Sequence, residues 1–343
     1  MYMSETKVFI TGASGLVGFH LIQFLLKRNY SVVGLVRNSS RKEELLQISN
    51  ANPEKFEIVS MELSNQARLA ELMSGADVVV HTAASIEPNG KRQTLDAINV
   101  GGTRSALNAA ITAGVKHFIH ISSLSVITGE EDRYGVTEDE ALKYCRESYA
   151  NSKIDAEKLV MKQRHGNRIA VTALRPGFIY GPNERTWMPR LIKAIKTGSA
   201  VLVGDGHKQT NVIYVGNLLR AIELAMLNPT SYGQIYNLTD GEVVTKKDLF
   251  DAVCDGLGLP HIERRISTVT ARLLVETACL IAPIAPGFLK ECCSQYSRAS
   301  FRLVALNQGF DISKAERELN YVERIPFAQA MSETLSQWKQ ATT

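Results

Sequence analysis

The sequence predicts an α/β protein, a doubly wound parallel Rossmann sheet with a smaller, mainly helical substrate-binding lobe. Three observations predict it. Short β-branched runs alternate with helical patterns through the first half, those runs are continuously apolar, and a glycine-rich turn joins the first run to the first helix. Continuous apolar runs suit strands covered on both faces, and repeated strand–helix units suit a parallel sheet.

Strands are expected in KVFITG (7–12), YSVVGLVR (30–37), FEIVSME (56–62), DVVVHTA (77–83), HFIHISS (117–123) and IAVTALRPG (169–177). Between them, stretches such as LVGFHLIQFLLKR and INVGGTRSALNAAITAG carry apolar residues at helical spacing. After RPGFIYGP the rhythm changes. A helix in MPRLIKAIKTG and a glycine turn, GDGHKQ, precede NVIYVGNLLRAIELAML, which reads as one more strand and helix returning to the sheet. QIYNLTD (234–240) reads as a further strand. From 241 the pattern is mainly helical, ending in DISKAERELNY and FAQAMSETLSQW. The division expected is a dinucleotide-binding domain over 5–180 and 211–240, with the substrate lobe over 181–210 and 241–343.

At 343 residues, 45% hydrophobic and 22% charged, the chain suits a globular protein with room for two lobes. A net charge of +4 from scattered basic residues leaves no nucleic-acid footprint. Cys145, Cys254, Cys279, Cys292 and Cys293 form no C-x-x-C pair, so neither a disulfide framework nor a metal site is expected. The vicinal Cys292–Cys293 pair reads as lobe packing. MYMSETK lacks the apolar core of a signal peptide. The greasiest stretch, LLVETACLIAPIAPGFL (273–289), is broken by Glu276, Pro283 and Pro286, short of the ~20 apolar residues a spanning helix needs. A cytoplasmic, soluble protein is expected. The apolar segment 269–289 could wall a pocket for an apolar ligand, touch a membrane surface, or simply pack two lobe helices together.

VFITGASGLVGFH sets Gly12, Gly15 and Gly18 three apart, after a strand and opening a helix. Glycine allows the tight turn and a close backbone approach to a pyrophosphate, and the helix N-terminus offers free N–H groups. At the end of the second strand an acidic residue would bind the adenosine ribose, whereas an arginine accommodates a 2′-phosphate. GLVRNSSRKEE presents Arg37, then Arg41 and Lys42, with no carboxylate before Glu43. NADP(H) is therefore favoured, with NAD(H) left open.

Ser122, Ser123 and Ser125 end the strand HFIHISS, where an open parallel sheet binds its ligands. In ESYANSK, Tyr149 and Lys153 lie one helical turn apart on one face. Exchange between a carbonyl and an alcohol needs a proton donor or acceptor at the substrate oxygen. A phenol with pKa near ~10 is a poor base, which a neighbouring ammonium improves. His81 and His120 sit in expected strands, where hydrogen-bonded structural histidines are common.

TGASGLVG, DVVVHTAA, INVGGT, HISSLSV, YANSK, LRPGFIYGP and NVIYVGN, in that order, make the chain resemble the extended short-chain dehydrogenase/reductases of the epimerase/dehydratase superfamily over nearly its whole length. The resemblance implies Ser123, Tyr149 and Lys153 as the catalytic triad and Asn99 as the fourth member. It places Gly12, Ser14, Gly15, Leu16, Val17 and Gly18 around the pyrophosphate and Arg37 at the ribose. Glu62 and Leu63 would flank the adenine, Ala83 and Ala84 would line the cofactor, and Pro176, Gly177, Phe178 and Ile179 would meet the nicotinamide amide. The usual Ser-Ser-x-x-Val-Tyr-Gly runs here as Ser122-Ser123-Leu124-Ser125-Val126-Ile127-Thr128, so Ser125 stays open as the alternative to Ser123.

GDGHKQTNVIYVGNLLRAIELA, YNLTDGEVVTKKDLF and FDISKAERELNY are similar to the 3β-hydroxysteroid dehydrogenase/isomerase branch, with Gly216 departing from the acidic residue usual there. That similarity implies an oxidoreductase interconverting a secondary alcohol and a ketone on a bulky apolar, steroid-like or 3-oxoacyl substrate, as a homodimer. Three other readings compete. One is a nucleotide-sugar epimerase or reductase, which Arg37 argues against; another is a sugar 4,6-dehydratase, whose acid–base pair beside the catalytic hydroxyl is absent, Leu124 and Ser125 standing there. The third is a non-catalytic NADP-sensing protein, which has no need of Ser123, Tyr149 and Lys153 together.

Overall fold

The computed structural model describes residues 6–37, 41–87, 90–282, 284–287 and 296–339. Its strands are β1 (Lys7–Thr11), β2 (Ser31–Val36), β3 (Phe56–Ser60), β4 (Val78–His81), β5 (His117–Ile121), β6 (Arg133–Val136), β7 (Ala170–Pro176), β8 (Phe178–Tyr180), β9 (Leu202–Val203), β10 (Gln209–Thr210), β11 (Val212–Tyr214) and β12 (Ile235–Leu238). Seven of them form the main sheet in the order β12-β7-β5-β4-β1-β2-β3. Every pairing in it is parallel. The order reverses between β1 and β4, which opens a crevice at the carboxyl ends of those strands.

Alternate side chains of β1 serve opposite faces, as the period of two requires. Val8 and Ile10 join the core beneath the helices Leu16–Leu26 and Val215–Leu227. Phe9 joins the core with Leu69, Ala106 and Val160 from the helices Gln66–Met73, Gly102–Thr112 and Ser148–Met161. The continuous apolar runs have this origin.

One expected strand goes elsewhere. Residues 212–214 pair with β8, outside the main sheet. The place beside β7 is taken by β12, with Ile235 opposite Ala173. The helix Val215–Leu227 nonetheless returns to the sheet face, where Leu218 and Ile222 are fully buried.

The second half also forms short pairings that periodicity did not show. Arg265–Ile266 pairs with β9, Val244–Thr245 with β10, and Gln308–Phe310 with β6. In the apolar segment, the helix Thr268–Ile281 buries Ala271 and Val275 against Phe301 and Ala305 of the helix Arg298–Ala305, and Ala278 is buried too. Its other face is exposed. No described helix is long and apolar enough to cross a membrane. Cys145, Cys254 and Cys279 are free thiols, and the Cys292–Cys293 pair lies outside the described residues.

Candidate active site

β1 ends in a turn that only glycine fits. Gly12 has φ +71°, and a Cβ there would lie 2.7 Å from the backbone of Ala83. A Cβ on Gly18 would lie 2.4 Å from the Gly12 carbonyl oxygen. Three stretches of backbone therefore close on one another at the switch point. Within the turn, Ala13 N donates to the Leu35 carbonyl and Gly15 N to the Gly12 carbonyl, while exposed Gly15 precedes the helix Leu16–Leu26 without a side-chain cap, so the helix N-terminus is open to an outside acceptor. Ser14, Leu16 and Val17 are half-buried around it, as are Ala83 and Ala84 beyond β4. This cradle fits a dinucleotide pyrophosphate.

Arg37 is exposed at the end of β2. Arg41 is committed to the fold. It is 5% exposed, donates to the Asn183 carbonyl at 2.8 Å and lies 4.9 Å over the Phe19 ring. Glu62 is exposed beyond β3, while Leu63 packs against the start of the helix Gly102–Thr112. Pro176 ends β7, Gly177 links it to β8, and Phe178 and Ile179 are half-buried on β8.

The carboxyl ends of β5 and β7 are stitched together around Ser123. Ser122 N donates to the Leu174 carbonyl at 2.7 Å, and Leu124 N to the Pro176 carbonyl at 3.0 Å. Between them, the Ser123 hydroxyl accepts from Ser125 N at 3.1 Å and lies close enough to the Tyr149 phenol to lower its pKa. Ser125 is 7% exposed and its hydroxyl has no partner. Of the two serines, Ser123 is the one that reaches Tyr149.

Tyr149 and Lys153 share the helix Ser148–Met161. Burial pushes the Tyr149 phenol above its ordinary pKa. The Ser123 hydrogen bond and the Arg302 charge pull it down, and Glu147 adds to the rise. The Lys153 ammonium donates to the Ile121 carbonyl at 2.6 Å, and burial brings its pKa down to about 8, against the opposing charge of Glu157. The Arg302 charge, far away in the chain, is one that lowers the pKa of the phenol. Sequence reasoning missed it because only the tertiary fold brings residue 302 near residue 149.

Asn99 lies in the π-helical turn Asp96–Gly101 and is 1% exposed. Its amide donates to Ser152 Oγ at 2.9 Å and to the Ser85 carbonyl at 3.0 Å, and accepts from Ser85 N at 2.7 Å. It ties the segment after β4 to the Tyr149 helix. His81 bridges Thr11 at 2.7 Å and Thr103 at 3.0 Å, and burial brings its pKa down to about 3. It is a neutral structural histidine. His120 stacks on it at 5.7 Å between ring centroids, with neither of its ring nitrogens partnered.

Two buried ion pairs hold the Tyr149 helix. Arg175 on β7 grips Glu157 with two hydrogen bonds, 2.9 and 2.6 Å, and Ser122 donates to the same carboxylate at 2.6 Å. Arg302 meets Glu147 at 2.9 Å, at the residue that precedes the helix.

A parallel switch-point sheet, a glycine cradle for pyrophosphate and a hydroxyl–phenol pair at the strand ends define a Rossmann-fold oxidoreductase. The particular family follows from comparison. The 3-beta hydroxysteroid dehydrogenase/isomerase family matches residues 9–265, and the chain belongs to it. It is accordingly an NAD(P)-dependent dehydrogenase/reductase acting on CH–OH groups. A 3-beta-hydroxysteroid dehydrogenase of Mycolicibacterium neoaurum is 30% identical, over 96% of this chain and 90% of that one. A 2-alkyl-3-oxoalkanoate reductase of Shewanella oneidensis is 27% identical, over 95% and 84%. Among solved structures, the UDP-glucuronic acid 4-epimerase of Bacillus cereus in complex with NAD superposes with a TM-score of 0.76 at 23% identity, covering 98% of this chain and all of that one. That likeness is one of fold.

Proposed function

We propose that the protein interconverts a secondary alcohol and a ketone on a bulky apolar substrate, with NADP(H) as the preferred cofactor. The observation that carries the reading is that Ser123 and Tyr149 come together at the carboxyl ends of β5 and β7, beside the crevice at Gly12 and Gly18, where the Ser123 hydroxyl lowers the Tyr149 pKa. When bound, the nicotinamide supplies or accepts the hydride. Ser123 orients the substrate oxygen, and Tyr149 gives that oxygen its proton in reduction or takes it in oxidation. Lys153, held at the Ile121 carbonyl, keeps a positive charge at the same end of the sheet. Arg37, free of any carboxylate neighbour in sequence, is the residue for a 2′-phosphate.

The relatives named for 3β-hydroxysteroids and for 2-alkyl-3-oxoalkanoates support a substrate that is either steroid-like or a 3-oxoacyl compound. Both classes set a ketone or secondary alcohol on a large apolar body. The test is a panel of sterols, 3-oxoacyl compounds and nucleotide sugars, followed by absorbance of the reduced nicotinamide. Turnover of an apolar ketone by the native chain and its loss in Tyr149→Phe, with NADPH binding retained, is the expected outcome. Turnover of nucleotide sugars alone would replace this reading with that of an epimerase or sugar reductase. Tighter binding of NADH than NADPH would remove Arg37 from the site.

A further inference from the structure

The helix Thr268–Ile281 turns its small residues inward and its large ones to solvent. Ala271, Val275 and Ala278 are buried. Val269 is 70% exposed, Leu273 63%, Leu274 50%, Leu280 74% and Ile281 41%, and Ile284 just beyond the helix is 84% exposed. At about 100° per residue, the five on the helix fall with Thr270 and Thr277 in one arc of about 140°, with no charge inside it. A contiguous greasy face of this kind marks a protein or membrane contact.

We propose that this face lies in the headgroup–acyl boundary of an anionic lipid bilayer, with the helix parallel to the surface. Two features select lipid over protein. Protein hot spots draw on Trp, Tyr and Arg, with Leu and Val under-represented, whereas this face is wholly aliphatic apart from two threonines. Its charged surroundings are basic. Arg264 and Arg265 are exposed just before the helix N-cap Ser267, and Arg264 reaches the Gly198 carbonyl at 3.2 Å, which brings exposed Lys193 and Lys196 to the same end. Arg272 is exposed on the flank, its guanidinium 5.4 Å over the Phe301 ring. Against these stand exposed Glu263 and half-buried Glu276, the helix's one acidic residue, whose carboxylate is taken by Arg298 at 2.7 Å and Arg146 at 3.1 Å. Basic side chains around an apolar helix face complement anionic headgroups, and their long stems let the charge reach outward while the face sinks.

The substrate reading above is not needed for this inference, because binding is read without turnover. The full chain is sedimented with vesicles of phosphatidylcholine alone and with vesicles mixing in phosphatidylglycerol. Binding to the mixed vesicles, weakened by salt, is expected. Leu273→Ser with Leu280→Ser should reduce it by roughly tenfold or more, since each removes hydrocarbon from the face that sinks into the bilayer. Arg264→Gln with Arg265→Gln should weaken only the phosphatidylglycerol-dependent part. All four positions are exposed, and an unchanged melting temperature would certify that each variant is folded. Absence of binding to either vesicle, or binding indifferent to the leucine changes, overturns the proposal. Dimerisation of the vesicle-free protein that the leucine changes abolish would give the face to a second copy instead.

Discussion

The two ion pairs on the Tyr149 helix are alike in composition and unlike in finish. Glu157–Arg175 lies within the sheet domain, both side chains 2% exposed, with the carboxylate also bound by Ser122 and Arg175 Nη1 reaching the Glu138 carbonyl at 3.4 Å. Glu147–Arg302 joins the helix start to the lobe at 4% and 8% exposure. Arg302 Nη1 is buried without a hydrogen-bond partner, and Glu147 Oε2 has charge contact but no hydrogen bond. The first pair is saturated and sets where the helix sits. The second is under-satisfied, two residues from Tyr149, and sets the field at the phenol. A buried charge that gives up hydrogen bonds weakens the fold, so its retention near reacting groups points to electrostatics rather than stability.

The largest expected effect is on the saturated pair. Arg175→Met should destabilise the protein by about 3–5 kcal/mol, because it leaves Glu157 charged, buried and without its main partner. Denaturant unfolding would measure it, and a cost below about 1 kcal/mol would erase the contrast between the pairs. Next comes Lys153, one turn before Glu157. Its pKa falls from 10.5 to about 8 on folding. Between those values the unfolded chain holds more protons than the folded one, so stability rises with pH across the window, by about 3 kcal/mol in all. Lys153→Met should remove that rise. Melting temperatures of the cofactor-free protein between pH 8 and 10 would show it as a flattened slope.

The same contrast explains what the amino-acid order could reveal. The sheet domain is legible because its signals are local. β1, the Gly12 turn and the helix after it occupy 20 consecutive residues, Lys7 to Leu26, and Tyr149 and Lys153 share one helix face. The lobe is not. Residues 212–214 carry an ordinary strand pattern, yet the edge of β7 was already claimed by residues 235–238, and periodicity does not rank two strands competing for one edge. Asn99 was assigned to the chemistry, and its amide proves to be engaged by Ser85 and Ser152, a commitment visible only in three dimensions. Arg302 carried no signal at all, since 153 positions separate it from Tyr149 in the chain.

The under-satisfied pair yields the two smallest effects, and they have opposite signs. Arg302 lowers the Tyr149 pKa and Glu147 raises it. In the mechanism proposed above, Tyr149 is the proton acceptor in the oxidative direction, which makes activity grow as the phenol ionises. Arg302→Met should therefore move the ionisation seen in the pH profile of kcat to higher pH, while Glu147→Gln should move it lower by a smaller amount. A purely structural pair would lower activity in both variants without shifting either profile. The smaller shift is expected from Glu147 because its charge acts on the phenol less strongly than that of Arg302. Movement of both profiles in the same direction would show that the two residues act on Tyr149 through the position of the helix, not through their charges.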